Sequence, residues 1–332
     1  MRVGIYQDLR NPPRWRKPWD EVYATGLARI ERAEALGLDM VWFSEHHLFE
    51  DGYLPQPLVY AAAAAARTSR IRFGTAVALA PLRPAIDYAE QAAIVDLISG
   101  GRFELGLGAG YRIPEFEHFG ADVTQRYGAL EACLAEIRRL LDEGVVTPPP
   151  KQDPFPLWAG VGGPRGARIA GRAGTGLLTF KPDVVAPYLE GLEEAGHGAG
   201  AARLGGLAMM VVTKDPEAAW HRVKDNFGYQ MDSYTRYGAE GREQPGSRRL
   251  ADMTTVDPDA LRSKGPDMSL PNVDCVTPEE CVRRLTEWLD GLPVSDVYFW
   301  DSLGGMADEV VDEHIELLAT EVRPAVAQLG MI

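Results

Sequence analysis

The chain has 332 residues, 45% of them hydrophobic, which is enough for a sizeable buried core. Asp plus Glu number 48 against 34 for Lys plus Arg, and the formal net charge of −14 disfavours nucleic acid or a membrane as a partner. No apolar run approaches the roughly 18 residues of a membrane span. The three cysteines, Cys133, Cys275 and Cys281, form no Cys-x-x-Cys pair, so the expectation is a cytoplasmic protein without a disulfide framework or zinc site.

In chain order, a strand is predicted over Arg2–Tyr6, then a Pro- and Trp-rich stretch, Asn11–Trp19, and a helix over Glu21–Leu36. Strand Met40–Phe43, helix Gln56–Ala66, strand Ile71–Ala78 and helix Ala85–Ile98 follow. Next come strand Phe103–Leu107, helix Gln125–Glu143, strand Pro156–Gly160 and helix Gly166–Ala173. Strand Gly176–Phe180, helix Val184–Glu194, strand Leu207–Thr213 and helix Pro216–Phe227 complete seven repeats. A long polar segment, Asp232–Asp274, then precedes helix Pro278–Leu289, strand Val297–Trp300 and helix Asp308–Val322. Thr277-Pro278-Glu279-Glu280 and Asp215-Pro216-Glu217 carry helix-start signals.

Eight strands alternating with helices point to an α/β fold with a parallel sheet. The alternation suits both a doubly wound open sheet and a closed (β/α)8 TIM barrel, and at this length the barrel is the economical choice. The chain is read as one barrel domain, 1–332. The segment 232–274, after strand seven, would be a mobile lid at the mouth or a plain surface insertion.

Three places carry candidate chemistry. Ser44-Glu45-His46-His47 follows the second strand directly, where a barrel strand delivers side chains to the mouth. Strand alternation sends the neighbours apart, so one imidazole is expected to reach the pocket. No other histidine (His118, His197, His221, His314) stands at H-x-H or H-x-x-x-H spacing from this pair, so no metal site is expected. Gly160-Val161-Gly162-Gly163-Pro164-Arg165 is a glycine turn opening a helix. It is either an anion site built from free N–H groups, with Arg165 adding charge, or a tight turn. Gly106-Leu107-Gly108-Ala109-Gly110-Tyr111-Arg112, and Gly74-Thr75-Ala76-Val77 on the third strand, leave room for a flat ligand or relieve crowding inside the barrel.

Taken in order, Trp42–His47, Gly74–Val77 with Pro81 and Pro84, Ser99-Gly100-Gly101-Arg102-Phe103, Gly106–Tyr111 and Ala159–Pro164 resemble the luciferase-like flavin monooxygenases, relatives of the bacterial luciferase subunits. The match spans roughly the first half of the chain. The resemblance implies the barrel, with reduced FMN supplied by a separate NAD(P)H-dependent flavin reductase and dioxygen as co-substrate. It makes His46 the catalytic histidine, with Glu45 orienting it or His47. It implies a bulge with a non-proline cis peptide at Ala76–Val77 under the flavin ring, and a backbone phosphate site at Gly162 and Gly163. Thr75, Gly108, Ala109, Gly110, Tyr111, Gly160 and Arg165 complete the expected cofactor contacts. Ala109 stands where luciferase subunits have an arginine near the phosphate, so a light emitter is not expected, and Arg165 or Arg112 would supply that charge.

Three rivals remain at this stage: a deazaflavin-dependent oxidoreductase on the same barrel, a non-catalytic luciferase-like subunit, and a metal-dependent hydrolase. Tyr6, Phe49, Tyr53, Tyr111, Phe180 and Trp300 lie near strand ends, as pocket or core aromatics, for a small-molecule substrate. The resemblance also implies a homodimer, packed through the helices near Tyr60–Arg67 and Ala85–Ile98.

Overall fold

The computed structural model describes residues 1–240, 257–262 and 273–328. Strand β1 (Arg2–Gln7) leads to α1 (Trp19–Leu36), β2 (Met40–Phe43), α2 (Pro57–Ala66), β3 (Arg72–Thr75), β4 (Ala78–Leu79) and α3 (Ala85–Ser99). Then come β5 (Phe103–Gly108), α4 (Ile113–Phe119), α5 (Arg126–Asp142), β6 (Leu157–Gly160), α6 (Pro164–Arg172), β7 (Gly176–Leu177) and α7 (Pro182–Glu194). The last third holds β8 (Leu204–Leu207), β9 (Met210–Val212), α8 (Pro216–Glu240), α9 (Pro258–Leu261), β10 (Asp274–Val276), α10 (Pro278–Leu289), β11 (Val294–Trp300), α11 (Asp308–Leu317) and α12 (Arg323–Gln328).

Parallel pairing runs β3-β2-β1-β11-β8-β7-β6-β5-β4, and β3 also pairs with β5, which closes the sheet into the expected barrel. β3 and β4 share one of its eight positions. Phe73 pairs with Phe103 but Ala78 pairs with Leu107, so the register slips by one residue between them. The slip is a bulge, and the Ala76–Val77 peptide within it is cis, as the resemblance implied.

Large rings set against glycines fill the interior. Trp42 pairs with Gly74 and Trp158 with Gly176, and a Cβ on either glycine would lie 2.2 Å from its partner's ring. The two indoles meet edge to face at 5.7 Å, Trp42 leans on Tyr298 at 5.6 Å, and Tyr298 stacks on Tyr6 at 5.8 Å. An ionic cluster ties the N-terminal end of the strands. Arg2 bridges Glu104 and Asp296, Arg72 reaches Glu104 at 2.8 Å, and the Trp158 indole donates to Glu104 at 2.7 Å. Burial would raise the Glu104 pKa, but the Arg2 hydrogen bond prevails and holds it at about 2. This end serves stability.

Helix ends follow local signals. Gly37 and Gly100 close α1 and α3 in the left-handed conformation, and the Thr277 side chain caps α10 by accepting from the Glu280 amide. Arg102, in the glycine turn before β5, is spent on structure. Its guanidinium donates to the carbonyls of Ala65, Thr68, Ile71 and Ser99.

Two sequence expectations need correction. The predicted seventh strand, Leu207–Thr213, merges two elements. Barrel strand seven is β8, ending at Leu207, while β9 leaves the barrel and pairs with β10. The glycines at 205 and 206 hide β8 from a search for β-branched runs. The helix predicted to stop at Phe227 runs on to Glu240, so the first part of the expected lid is α8. Within 232–274, α9 is also regular and β10 begins at Asp274, and residues 241–256 and 263–272 lie outside the described residues.

Candidate active site

β2 ends at Phe43 and delivers Ser44, Glu45, His46 and His47, all buried, to the C-terminal rim. Their side chains diverge as strand alternation requires. Glu45 turns back, receiving the Leu79 amide at 2.8 Å, His47 Nε2 at 2.9 Å and Arg83 at 3.0 Å. It therefore holds His47 and the β4 side of the bulge. His46 turns into the mouth. Its Nδ1 lies 2.9 Å from Glu115 Oε1 and its Nε2 lies 3.4 Å from the Tyr111 hydroxyl. The same Glu115 oxygen accepts the His47 amide at 2.8 Å, while Glu115 Oε2 has no partner among the described residues.

Glu115 lies just beyond the glycine-rich motif that ends at Arg112. The signal was there: Ile113-Pro114-Glu115 opens α4 with the Pro-Glu pattern that marked α8 and α10. Its pairing with His46 was not readable, because only barrel closure brings the ends of β2 and β5 together.

Rings surround His46: Phe49 and Tyr53 at 4.8 Å and Tyr111 at 5.3 Å. The Tyr53 hydroxyl lies 3.1 Å from that of Tyr6 and 2.9 Å from that of Tyr234. Burial lifts the pKa of all four phenols, so they stay protonated at neutral pH. Asp8 follows β1 and receives Gln230 at 2.7 Å; burial pushes its carboxyl up to about 7 against the pull of Arg10. Burial alone would lower the Arg10 pKa, but Asp51, 2.6 Å from its Nε, and Asp8 hold it above the ordinary value. Of the other expected pocket aromatics, Trp300 ends β11, and Phe180 packs on Gly206.

Val77 stands half-buried at the rim, and the glycines around it have a steric reason. A Cβ on Gly108 or Gly160 would lie 2.4 Å from a Val77 methyl, and one on Gly106 would lie 2.0 Å from the Thr75 carbonyl. The Thr75 hydroxyl is taken by the Gly106 backbone at 2.7 and 2.9 Å. Ala109 is buried, and Gly110 has φ +66°, a turn that sends Tyr111 toward His46. Gly162 and Gly163 face open space before α6, where a Cβ on either would meet nothing within 4 Å. Arg165 is exposed in the first turn of α6, over the Tyr127 ring at 5.3 Å, whereas Arg112 donates to the His47 carbonyl and lies over Phe49 and Tyr237. Among the described residues no three His, Cys, Asp or Glu side chains gather to hold a metal ion.

Comparison with known proteins finds relatives in sequence and in fold. The uncharacterized protein y4vJ of Sinorhizobium fredii is 27% identical over 331 residues, covering 90% of each chain. The F420-dependent glucose-6-phosphate dehydrogenase of Amycolatopsis mediterranei is 34% identical over 169 residues, 44% of this chain and 50% of its own length. Monooxygenase RslO1 from Streptomyces bottropensis shares the fold with a TM-score of 0.75 at 21% identity, over 98% of this chain and 99% of its own. The oxygenating constituent of 3,6-diketocamphane monooxygenase from Pseudomonas putida, solved with FMN, gives 0.69 at 18% identity over 98% of both chains. A family model described as luciferase-like monooxygenase matches residues 1–294, and the chain belongs to that family.

Proposed function

We propose that the chain is an FMN-dependent monooxygenase that uses reduced FMN and dioxygen to oxidise a small organic substrate. The observation that carries the reading is His46, turned into the mouth and fixed between the Glu115 carboxylate and the Tyr111 hydroxyl. The surroundings fit a flavin. Val77 forms a shelf bordered by glycines, Glu115 beside His46 keeps Oε2 without a partner among the described residues, and space remains before Gly162 and Gly163. Val77, Ala76, Gly108 and Gly160 would carry the ring. The main-chain N–H groups at Gly162 and Gly163, with Arg165, would take the phosphate. Bound reduced FMN would supply the electrons and the oxygen chemistry.

The chain's own residues position and protonate. Glu115 accepts from His46 Nδ1–H, which fixes the ring and leaves Nε2 as the atom that takes or returns a proton, with Tyr111 beside it. Phe49, Tyr53 and Tyr111 pack around that ring. A separate NAD(P)H-dependent flavin reductase would deliver the reduced cofactor. The setting is cytoplasmic, in keeping with three free, buried cysteines. The unit is a homodimer through α2 and α3, whose outer faces are apolar: Val59 is 66% exposed, Ile94 43% and Ile98 48%.

The identity to an F420-dependent dehydrogenase favours a second reading, a deazaflavin oxidoreductase. Anaerobic titration with reduced FMN and with reduced F420 separates the two. The expected result is FMN binding at least about tenfold tighter, and the reverse order moves the assignment to deazaflavin. His46→Ala should lower substrate oxidation by about a hundredfold or more. Unchanged oxidation would point to the non-catalytic subunit.

A further inference from the structure

One buried guanidinium at the mouth is only partly matched. Arg10 follows β1, and its side chain is fully enclosed. Nε pairs with Asp51 and Nη2 donates to the Ser233 hydroxyl, but Nη1 has no acceptor among the described residues. Its Cζ lies 5.7 Å from the Phe49 ring and 5.2 Å from the Tyr53 ring, the two rings that also border His46.

Two further buried polar atoms, one on β11 and one on α8, lack partners among the described residues: the Trp300 indole N–H and Gln230 Oε1. Trp300 pairs with Tyr6 in the β1–β11 register, so it shares the interior face with Tyr6. Gln230 sits on α8 and holds Asp8 through its amide nitrogen. One face of α8 roofs this place: Phe227 meets Trp300, Gln230 meets Asp8, Ser233 meets Arg10, and Tyr234 meets Tyr53. A buried polar atom left unmatched costs free energy, and three under one helix face mark a place a ligand completes.

The unmatched set is two donors and one acceptor. A hydroxyl oxygen satisfies both kinds, since it accepts and donates. Asp51 already balances the Arg10 charge, so the set draws a neutral group in preference to an anion. The bordering side chains are aromatic, which suits a flat ring. We propose that this end of the barrel binds a phenolic substrate, its hydroxyl accepting from Arg10 Nη1 and Trp300 Nε1 and donating to Gln230 Oε1, its ring lying among Phe49, Tyr53 and Trp300. This names the substrate class of the site assigned above and rests on that assignment for its role in turnover. Binding is separable from turnover.

The test measures binding of 2-naphthol and of naphthalene to the purified full chain, with and without FMN. The wild type should bind 2-naphthol at least about tenfold more tightly than naphthalene. Arg10→Lys keeps a positive charge beside Asp51 but lacks the second nitrogen. It should cut that preference to about threefold or less. Trp300→Phe and Gln230→Leu should each cut it too, and they decide the matter if Arg10→Lys fails to fold. A folding defect would weaken both ligands alike, so the ratio is the readout. Equal affinities in the wild type, or an intact ratio in every folded variant, overturns the proposal. An intact 2-naphthol preference in a protein that binds no FMN supports this subsite and removes the flavin assignment alone.

Discussion

Asp8 shows how one residue at the mouth ties stability to pH. In the unfolded chain its carboxyl titrates at the ordinary value of 3.8, and in the fold burial keeps the proton on until about 7. The folded state therefore binds this proton more tightly. The contribution of Asp8 is full below about pH 4 and is lost as the pH rises toward 7. Asp8→Asn removes the ionisation and keeps an acceptor for Gln230. The melting temperature of the variant should gain on the wild type between pH 5 and pH 8, by about 3 °C or more. A difference that stays constant across that range would mean that Asp8 is ionised throughout. On the same scale Glu45 and Glu115 divide the work: the first is committed to His47 and Arg83, the second to His46. Sequence order put Glu45 beside both histidines, and chain direction at the strand end decided which one it meets.

Elements of the barrel depend on size matching between neighbouring strands. β3 can lie beside β2 only because Gly74 leaves room for the Trp42 ring, and β7 beside β6 only because Gly176 does so for Trp158. Gly74→Ala places a methyl 2.2 Å from Trp42 and should cost about 1–3 kcal/mol, read as a lower urea midpoint with an unchanged slope. An unchanged midpoint would show that the indole can move aside. The strand ends bear on function through the same logic. Val77 leaves the β3–β4 line at the bulge, and β5 and β6 meet it with glycines. The glycine rhythm was legible as either ligand room or relief of crowding. The structure shows the relief of crowding, and the side chain that needs it, Val77, is the one presented at the rim.

For the whole molecule, no described helix is long and apolar enough to cross a membrane. The exposed apolar residues of α2 and α3 gather on adjoining helices: Val59, with Ala63 and Ala66, beside Ile86, Ile94, Leu97 and Ile98. Such a patch is costly in water, and the proposed dimer would cover it. Sedimentation should show a dimer for the wild type and a monomer for the double variant Ile94→Glu, Ile98→Glu, with helical content retained. A monomeric wild type would remove the dimer from the proposed function. Both helices follow strands two and three, so the proposed dimer face would lie behind the strands that carry His46 and Val77.

The sequence by itself determined the alternation of strands and helices, most helix starts, the glycine turns and the delivery of Ser44–His47 at a strand end. Each of these is written in periodicity or capping over a few neighbouring residues. Tertiary structure alone decided that Glu115, 69 positions away, grips His46, that β8 and not β9 joins the barrel, and that α8 reaches across the mouth to Arg10 and Asp8. Those outcomes come from closing the sheet. Closure brings the ends of distant strands together, and no pattern within one segment records which side chains then meet.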